Sequence, residues 1–590
     1  MKSFFKTLLA VILGFFISAF LVTIIGIGII SVVANQSDKE ESIDSNTVLH
    51  LTFNYQITDR AGMSPLDFSS LSNLNELNTT GLNTIVKNIR KAKNDSNIKG
   101  IYLELSDMST GIASIEEIRN ALIDFKTSNK FIIARADYYS QGTYYLASVA
   151  DKIYLTPTGS FAFTGLSAQV MYYKNALDKL GVEPQIIRHG KFKSAVEPFM
   201  QDKMSDANKE QILSYMGTIW NHMVDQIAIA RNIEASDLQG MADSLMVTDE
   251  ITAMKYNFVD SLKYNDEVIA DLKKRCSLKP EDKLQLITLK KYTHVPEVKI
   301  DSEFKLEKDK IAVIYAIGAI EMGEGDDFTI GANRLAKAIK SARENKNVKA
   351  IVLRINSPGG SALASEIILR EAKLAQKEKP FIVSMGELAA SGGYYIACAS
   401  DTIVAQPNTL TGSIGVFGLM FNAEKLLNEK IGINIETINT NTHSDIGSQF
   451  RKMTDKEQMV LQNSVENIYT TFITHVANNR GLTIAQVDSI GQGRVWSGIN
   501  AKQIGLVDVI GGLDVAIDIA AKKANVTKYR ILELPEAKDP FTEIMEQLGQ
   551  STAVYFKSQF GINYKYFKQL EQLQQMQGVQ ARLLFAIDVK

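Results

Sequence analysis

The amino-acid sequence repeats itself at an offset of 250 positions. The recurring residues keep their spacing: Gly142, Tyr144, Tyr145, Ala147, Asp151, Ile153 and Pro157 return as Gly392, Tyr394, Tyr395, Ala397, Asp401, Ile403 and Pro407. A period of this length indicates two copies of one domain rather than a solenoid of short repeats. We therefore predict an N-terminal repeat over residues 47–300, a C-terminal repeat over residues 301–540 and an extension over residues 541–590.

Both repeats alternate short β-branched runs with stretches of helical spacing. The predicted strands and helices are 101–105, 115–126, 131–134 and 152–155 in the first repeat and 350–355, 362–376, 381–385 and 402–405 in the second. This alternation predicts an α/β fold with a parallel sheet and crossover helices in each repeat. Ligand sites in such sheets lie at the carboxyl ends of strands, where loops 356–361 and 387–393 fall. The charged segment 271–310 is interpreted as the connection between the repeats.

The chain begins with an apolar stretch that is long enough to cross a membrane. Two lysines are followed by residues 8–33, which carry no charged side chain. About 20 apolar residues suffice for a transmembrane helix, and a cleaved signal peptide has a shorter apolar region. The lysines precede the stretch and an acidic cluster follows it at 38–41, so the positive-inside rule places the N-terminus in the cytoplasm. We predict an uncleaved anchor over residues 1–36 and an extracytoplasmic body, although 32–34 also resemble a weak cleavage site.

Composition and charge exclude several classes of function. The formal net charge of −2 provides no basic surface field, so nucleic acid is not an expected partner. The two cysteines, Cys276 and Cys398, are far apart, and neither a CxxC motif nor a Cys/His cluster predicts a metal site. We expect Cys398 to be a small core residue of the helix that follows Ser391.

Ser391 follows a predicted buried strand and precedes a predicted helix. The apolar run 381–385 predicts the strand, Gly386 is expected to end it, and residues 394–398 have helical spacing. The Ser391 hydroxyl would then lie on a tight turn at a helix N-terminus, where free backbone N–H groups face any oxyanion formed beside it. An ordinary N-cap serine is the alternative interpretation, because capping is the usual role of serine at a helix start.

The two repeats differ where chemistry is expected. Gln141 of the first repeat occupies the position of Ser391 in the second, and DMST at 107–110 stands where the second repeat has SPGG at 357–360. The first repeat therefore lacks both the hydroxyl and the glycines that would let a backbone approach a substrate closely. Divergence of purely structural residues would also produce such differences, but their joint loss favours a reactive serine in the second repeat.

A serine hydroxyl needs a base before it can act as a nucleophile. None of the six histidines has a spacing that by itself predicts a Ser-His-Asp triad. The other route is a lysine kept neutral by burial, because desolvation lowers a lysine pKa by up to ~3–5 units. Lys193 is the candidate, since Gly190 and Pro198 bracket it and its surroundings are apolar. The alternative is an ordinary solvated lysine, like Lys191 two positions away.

Four motifs lie in the repeats: KSAVEPF at 193–199, NSPGGS at 356–361, AASGGYY at 389–395 and TGSIGV at 411–416. Together with the N-terminal apolar stretch and the duplication, they resemble the signal peptide peptidase A (protease IV) family in its long form. The similarity covers almost all of the chain beyond the anchor. It implies two tandem Clp protease/crotonase-like domains with parallel sheets and a peptidase with a Ser/Lys dyad, in which Ser391 is the nucleophile and Lys193 the general base. It implies no metal or other cofactor.

The same resemblance assigns roles to three further residues. Ser413 falls where the family places a hydroxyl beside the lysine amine, which it would orient. Gly392 and Gly359 match the backbone donors expected around the oxyanion. Arg188 and His189 match no motif of the family and are interpreted as local structure.

The resemblance also has consequences for assembly and substrate. The base would come from the first repeat and the nucleophile from the second, so each repeat alone is expected to be inactive; at the level of Lys193 the second repeat reads NTHS at 441–444. The family implies a homo-oligomer, a tetramer, anchored in the inner (plasma) membrane with periplasmic catalytic domains. Its substrates would be cleaved signal peptides and other apolar peptides.

Two other functions remain open on the sequence alone. A membrane scaffold could keep this fold after losing catalysis, as the first repeat has lost it. A crotonase-like enzyme acting on an acyl-CoA would also use glycine N–H groups around an oxyanion. An extracytoplasmic position would remove coenzyme A from reach, and that chemistry gives no reason for Ser391 and Lys193.

Overall fold

The computed structural model describes residues 13–14, 17–18, 41–60, 79–296, 307–536 and 578–582. Apart from four residues, the predicted anchor lies outside this part of the chain, and so does most of the predicted C-terminal extension. Within the described ranges, no helix has both the length and the apolar character that crossing a membrane requires.

The first repeat forms a six-stranded parallel sheet with the order β8-β6-β5-β4-β1-β9. The strands of this half of the chain are β1 Thr47–Leu51, β2 Gln56–Thr58, β3 Thr79–Gly81, β4 Ile98–Leu105, β5 Phe131–Tyr139, β6 Lys152–Phe161, β7 Glu183–Arg188, β8 Ser261–Leu262 and β9 Leu286–Thr288. Its helices are Leu82–Asn94, Ile112–Lys126, Gln141–Ala147, Lys174–Leu180, Glu197–Met200, Asp206–Arg231, Ala235–Asp243, Glu250–Lys255, Asn265–Arg275 and Leu289–Thr293.

The second repeat forms a larger sheet with the order β19-β17-β15-β13-β10-β21, in which β16 joins β15 to β20. Its strands are β10 Lys310–Ile317, β11 Ala319–Glu321, β12 Thr329–Gly331, β13 Val348–Ser357, β14 Gly359–Ser361, β15 Phe381–Ala390, β16 Thr402–Ala405, β17 Leu410–Gly412, β18 Phe417–Asn422, β19 Val495–Ser497, β20 Val509–Ile510, β21 Arg530–Leu534 and β22 Gly578–Arg582. Its helices are Ala332–Glu344, Ala362–Glu378, Gly392–Ala397, Asp455–Arg480, Ile484–Ile490, Gly498–Gln503 and Leu513–Lys523.

The structure confirms an α/β fold with mostly parallel sheets in two repeats. Corresponding elements recur near the offset of 250, as in Leu82–Asn94 and Ala332–Glu344, or β5 and β15. Two details of the sequence interpretation were wrong. Strand β15 does not end at Gly386 but continues to Ala390, because its second half changes partner and pairs with β17. Part of segment 271–310 is not a connection, since β9 pairs with β1 and completes the first sheet.

A third sheet joins the two repeats in the order β12-β11-β14-β22-β18-β7. Strand β7 of the first repeat lies antiparallel to β18 of the second over their whole lengths, from Glu183 opposite Asn422 to Arg188 opposite Phe417. Strand β7 therefore lies against the second repeat. The residues that follow it, 189–199, consequently lie at the carboxyl end of the second sheet.

Buried charges also hold the repeats together. Arg354 of β13 is 1% exposed and donates from Nε to Asp59 (2.6 Å) and from a terminal nitrogen to Glu117 (2.7 Å), both in the first repeat. The carboxylate of Glu387 accepts backbone N–H bonds from Ala113 (3.0 Å) and Ser114 (2.5 Å) at the start of helix Ile112–Lys126. Partners in both repeats are therefore needed to satisfy these groups.

Candidate active site

Ser391 lies between β15 and helix Gly392–Ala397, fully buried, with a strained backbone. Its φ is 56° and its ψ is −113°, a conformation that a side chain bearing a Cβ rarely adopts. Its N–H donates to the Gly412 carbonyl at 2.8 Å, and its own carbonyl accepts from Tyr395 at 2.8 Å to start the helix. Its hydroxyl makes no capping hydrogen bond. Ser391 is therefore not an ordinary N-cap serine, and its hydroxyl is left for another partner.

The corresponding turn of the first repeat is built differently. Ser140 caps helix Gln141–Ala147 by accepting from Thr143 N–H. Gln141 replaces the serine, and its side-chain oxygen accepts the N–H groups of Thr164 (2.8 Å) and Gly165 (2.7 Å). The first repeat has therefore filled this position with a structural hydrogen-bond network.

Lys193 follows β7 and lies directly before the short 3₁₀ turn Ser194–Val196. Its side chain is 1% exposed. Its Nζ lies 2.8 Å from Ser391 Oγ, 3.1 Å from Ser413 Oγ and 3.2 Å from the Ser413 carbonyl oxygen. The structure thus brings together three of the five residues singled out in the sequence within one hydrogen-bonded cluster, although Lys193 and Ser391 are 198 positions apart.

The loop that carries Lys193 packs against a turn of the second repeat that contains Gly493. Phe192 N–H donates to the Gln492 carbonyl at 3.0 Å. The next residue, Gly493, has φ +83°, and a Cβ there would lie 2.6 Å from Lys193 Cα. A Cβ at Gly415 would lie 3.2 Å from Lys193 Cδ. The close approach of the lysine to the serine therefore depends on two glycines: Gly415, which lies in the motif at 411–416, and Gly493, which lies in no motif of the sequence analysis.

Burial sets the charge state of Lys193. It lowers the pKa of the amine from its ordinary value to about 7, because a buried ammonium loses its hydration. Its hydrogen-bond partners in the described structure are two hydroxyls and one carbonyl, and no carboxylate pairs with it. A carboxylate would have raised the pKa, so this environment favours the neutral amine near neutral pH.

Ser413 is the second serine bonded to the Lys193 amine. It also has a positive φ, 49°, and its N–H donates to the Arg494 carbonyl at 2.7 Å. That turn presents both its hydroxyl and its carbonyl oxygen to Lys193 Nζ. Ser413 therefore lies where the sequence prediction placed it, beside the lysine.

The glycines differ in what their N–H groups do. Gly392 is the first residue of the helix after Ser391, where an N–H has no intrahelical partner. The Gly359 N–H instead donates to Ser357 Oγ at 3.1 Å. The amide nitrogen of the next residue, Gly360, would lie 3.1 Å from a Cβ at Gly392. Gly359 and Gly360 thus both lie beside Gly392, but in this conformation the Gly359 N–H is already bonded to Ser357.

The histidines do not take part in the cluster. Ser391 Oγ has Lys193 Nζ and the Gly415 carbonyl (3.3 Å) as its hydrogen-bond partners. His189 instead bonds to Glu466 (2.6 Å) and stacks on Tyr469, while Arg188 donates to the Lys193 carbonyl at 3.4 Å. Four other histidines also lie within hydrogen-bond distance of a carboxylate: His50, His222, His443 and His475.

The described residues contain no group of three or more His, Cys, Asp or Glu side chains that could hold a metal ion. Both cysteines are free and buried.

Comparison with known proteins gives matches over both repeats. A family model described as peptidase family S49 matches residues 124–279 and 373–527. Protease 4 of Salmonella typhi is 38% identical over 86% of this chain and 83% of its own length, and protease 4 of Haemophilus influenzae is 39% identical over 75% and 72%. The chloroplastic serine protease SPPA of Arabidopsis thaliana is 33% identical over 92% of this chain and 78% of its own length.

Proposed function

Since this chain belongs to peptidase family S49 and is a serine protease, we propose that Ser391 is its nucleophile and Lys193 its general base. The membership confirms the resemblance seen in the sequence. The observation that carries the assignment of residues is the 2.8 Å hydrogen bond between Lys193 Nζ and Ser391 Oγ. The strained backbone of Ser391 and the uncompensated burial of Lys193 support it, because neither feature stabilises the fold.

The neutral lysine has the right number of donors for this role. A neutral amine has two N–H donors and one lone pair. The Ser413 hydroxyl and carbonyl oxygen can accept the two N–H groups, at 3.1 and 3.2 Å. The lone pair is then directed at the Ser391 hydroxyl, so that Ser413 positions the base and the amine can take the Ser391 proton.

In the first half of the reaction, Ser391 Oγ attacks the peptide carbonyl as its proton passes to Lys193. The tetrahedral oxyanion accepts N–H bonds from Gly392 and from a second backbone donor. We assign Gly360 to that second position and give Gly359 the role of shaping the turn, because the Gly359 N–H is already bonded to Ser357. The Lys193 ammonium then protonates the leaving amine. In the second half, water, activated by neutral Lys193, hydrolyses the ester on Ser391.

We further propose that the substrates are cleaved signal peptides and other apolar peptides. Family membership and the apolar stretch at residues 8–33 support a site at the inner membrane with extracytoplasmic, periplasmic catalytic domains. The two-repeat α/β architecture is compatible with the Clp protease/crotonase-like fold that the sequence resemblance implies. A homo-oligomer, a tetramer, is part of the same proposal, as are the domain bounds 1–36, 47–300, 301–540 and 541–590.

Labelling with an alkyl fluorophosphonate tests the active serine and separates a protease from an inactive scaffold. The intact protein should gain one label, located at Ser391 by peptide mass spectrometry. Ser391→Ala should not be labelled, whereas Ser400→Ala, which removes another buried hydroxyl three residues beyond the end of the same helix, should be labelled normally. A folded protein that takes up no label would favour the scaffold.

The activity should rise with pH through about 7. Burial lowers the pKa of Lys193 to about 7, so the base is protonated and inactive below that pH and neutral above it. We expect kcat/KM for a peptide to increase about tenfold per pH unit on the acid side and to level off on the alkaline side. The measurement is a kcat/KM profile between about pH 5 and 9. A profile that is flat across the region of pH 7 would contradict a neutral Lys193 base.

A further inference from the structure

Gln211 is a buried amide on helix Asp206–Arg231 that packs against the loop carrying Lys193. Its side chain is 1% exposed. The amide nitrogen donates to the Phe192 carbonyl at 3.1 Å and to Ser194 Oγ at 2.9 Å. Phe192 and Ser194 are the two neighbours of Lys193 in the chain, so this one side chain holds the loop on both sides of the lysine.

The oxygen of the same amide bonds to the turn that holds Ser413. Gln211 Oε1 accepts the N–H of Val495 at 3.2 Å. Val495 follows Arg494, whose carbonyl accepts the Ser413 N–H at 2.7 Å. Ser413 in turn bonds to Lys193 Nζ. Gln211 of the first repeat therefore connects the loop of the lysine to the turn of the second repeat that orients it.

Arg494 makes a second connection between the same segments. Its guanidinium lies 4.7 Å from the ring centroid of Phe192 and 4.5 Å from that of Trp496. One of its terminal nitrogens pairs with Glu210 at 2.9 Å, and Glu210 precedes Gln211 on the helix. Two adjacent residues of this helix are thus joined to the loop and the turn in one connected network.

The corresponding helix of the second repeat lacks this amide. Helices Asp206–Arg231 and Asp455–Arg480 both contain 26 residues, and Val460 occupies the position of Gln211. Val460 is 51% exposed. The second repeat also has no lysine at the level of Lys193. The helix as such therefore does not require a buried amide at this position, and the amide is present in the repeat that supplies the lysine.

We propose that Gln211 is a positioning residue for Lys193 and keeps its amine in hydrogen-bond contact with Ser391. The inference rests on the proposed function, in which Lys193 is the general base. The side-chain hydrogen bonds of Gln211 within the described structure are to groups other than Lys193 Nζ and Ser391, so it acts through the position of the lysine. A misplacement of about 1 Å can lower a rate by about 10²-fold, so loss of this support should affect catalysis.

A Gln211→Met variant tests the proposal. Methionine is unbranched and similar in length, so it should fill the space while making none of these hydrogen bonds. We expect kcat for a fluorogenic peptide to fall roughly 10–10²-fold and KM to change by less than about twofold. Gln226→Met is the matched control, because Gln226 lies on the same helix but accepts a bond from Arg119 within the first repeat, at 3.3 Å. Its kcat should be unchanged.

The pH profile separates positioning from a general loss of stability. Burial lowers the pKa of Lys193 to about 7, and a looser loop would admit water and raise that pKa towards its ordinary value. The acid limb of the kcat/KM profile should therefore move to higher pH in Gln211→Met. The substitution exchanges two uncharged side chains and leaves the charged and titratable groups around the loop in place: Arg188, His189, Glu197, Glu210, Glu466 and Arg494. The shift would thus report hydration of the amine.

Combination with Lys193→Met shows whether Gln211 acts through the lysine. In that background, Gln211→Met should lower kcat by less than about a further twofold, because the two residues act as one unit. A further tenfold loss would overturn the positioning role. Gln211→Glu keeps the shape and the acceptor for Val495 but replaces the N–H donors, so it should show the same loss of kcat as Gln211→Met and provides the test if methionine prevents folding.

The outcomes also separate this inference from the proposed function. A folded Gln211 variant with normal kcat and an unshifted pH profile would overturn the positioning role, and an inactive Lys193→Met protein would at the same time leave the base assignment intact. A Lys193→Met protein with normal kcat would overturn the base assignment and this inference together.

Discussion

A Lys193→Met variant is expected to fold normally and to lose roughly 10²–10⁴-fold in kcat/KM for peptide hydrolysis. Methionine is unbranched and similar in length, so it should fill the enclosed space left by the lysine, but it cannot accept the Ser391 proton. Lys193 has no charged partner, so its removal leaves no buried charge unpaired. The loss should therefore appear in kcat rather than in KM or in thermal stability, and steady-state kinetics with a thermal unfolding curve would measure both.

Three variants control this experiment. Lys191→Met removes an exposed lysine two positions away and should leave activity unchanged. Lys193→Arg should be as inactive as Lys193→Met, because a guanidinium stays protonated. Ser391→Ala combined with Lys193→Met should cost little more than either change alone, since the two residues act in one step. A folded Lys193→Met protein with near-normal kcat would remove Lys193 from the mechanism.

The structure shows why the sequence indicates Ser391 as a candidate more readily than Lys193. Ser391 is in a local context, between an apolar run and a helix, and the comparison with Gln141 separates it from a structural serine. Lys193 reaches Ser391 only because β7 pairs with β18, a contact between distant segments that leaves no periodic signal in either. Its assignment therefore required the family resemblance, whereas the α/β class followed from alternation of short strands and helices.

Backbone geometry was the least predictable part of the site. Two adjacent glycines at 359 and 360 are visible in the sequence, but only the structure shows that the Gly359 N–H is already bonded to Ser357. Gly493 and Gly415 likewise matter through the close approach of Lys193. Strand β9 was missed because three residues are too short to show a periodicity.

The contacts between the repeats were also invisible in the sequence, because each ion pair joins residues more than 200 positions apart. Arg354 lies in an apolar strand, where its pairing with Asp59 and Glu117 lets a charge be buried at all. Burial alone would lower the pKa of Arg354, but the two carboxylates outweigh it and hold that pKa above its ordinary value. Since Lys193 and Ser391 come from different repeats, this buried cluster of three charges helps to hold the two side chains together.

An Arg354→Met variant is expected to destabilise the protein by about 3–5 kcal/mol. The change leaves Asp59 and Glu117, which are 4% and 7% exposed, without their shared counter-ion. Urea unfolding followed by circular dichroism would show a lower midpoint. Peptide hydrolysis should fall as well, because loosening the repeats separates Lys193 from Ser391. Arg90→Met removes another ion pair between the repeats, in which the side chains of Arg90 and Asp514 are 44% and 31% exposed. This change should lower the free energy of unfolding by less than about 1 kcal/mol.

The pH dependence of the Arg354→Met variant distinguishes unpaired charge from lost packing. Burial already raises the pKa of Glu117 in the presence of Arg354, and removing the arginine should raise it further. A carboxyl with a higher pKa in the folded than in the unfolded state binds more protons when folded, so stability increases as pH falls. The variant should therefore recover part of its lost stability as the pH is lowered, and Glu117→Gln in the same chain should reproduce that recovery at neutral pH. A loss of stability that is independent of pH and unaffected by Glu117→Gln would mean that Arg354 stabilises the protein through packing and not through charge.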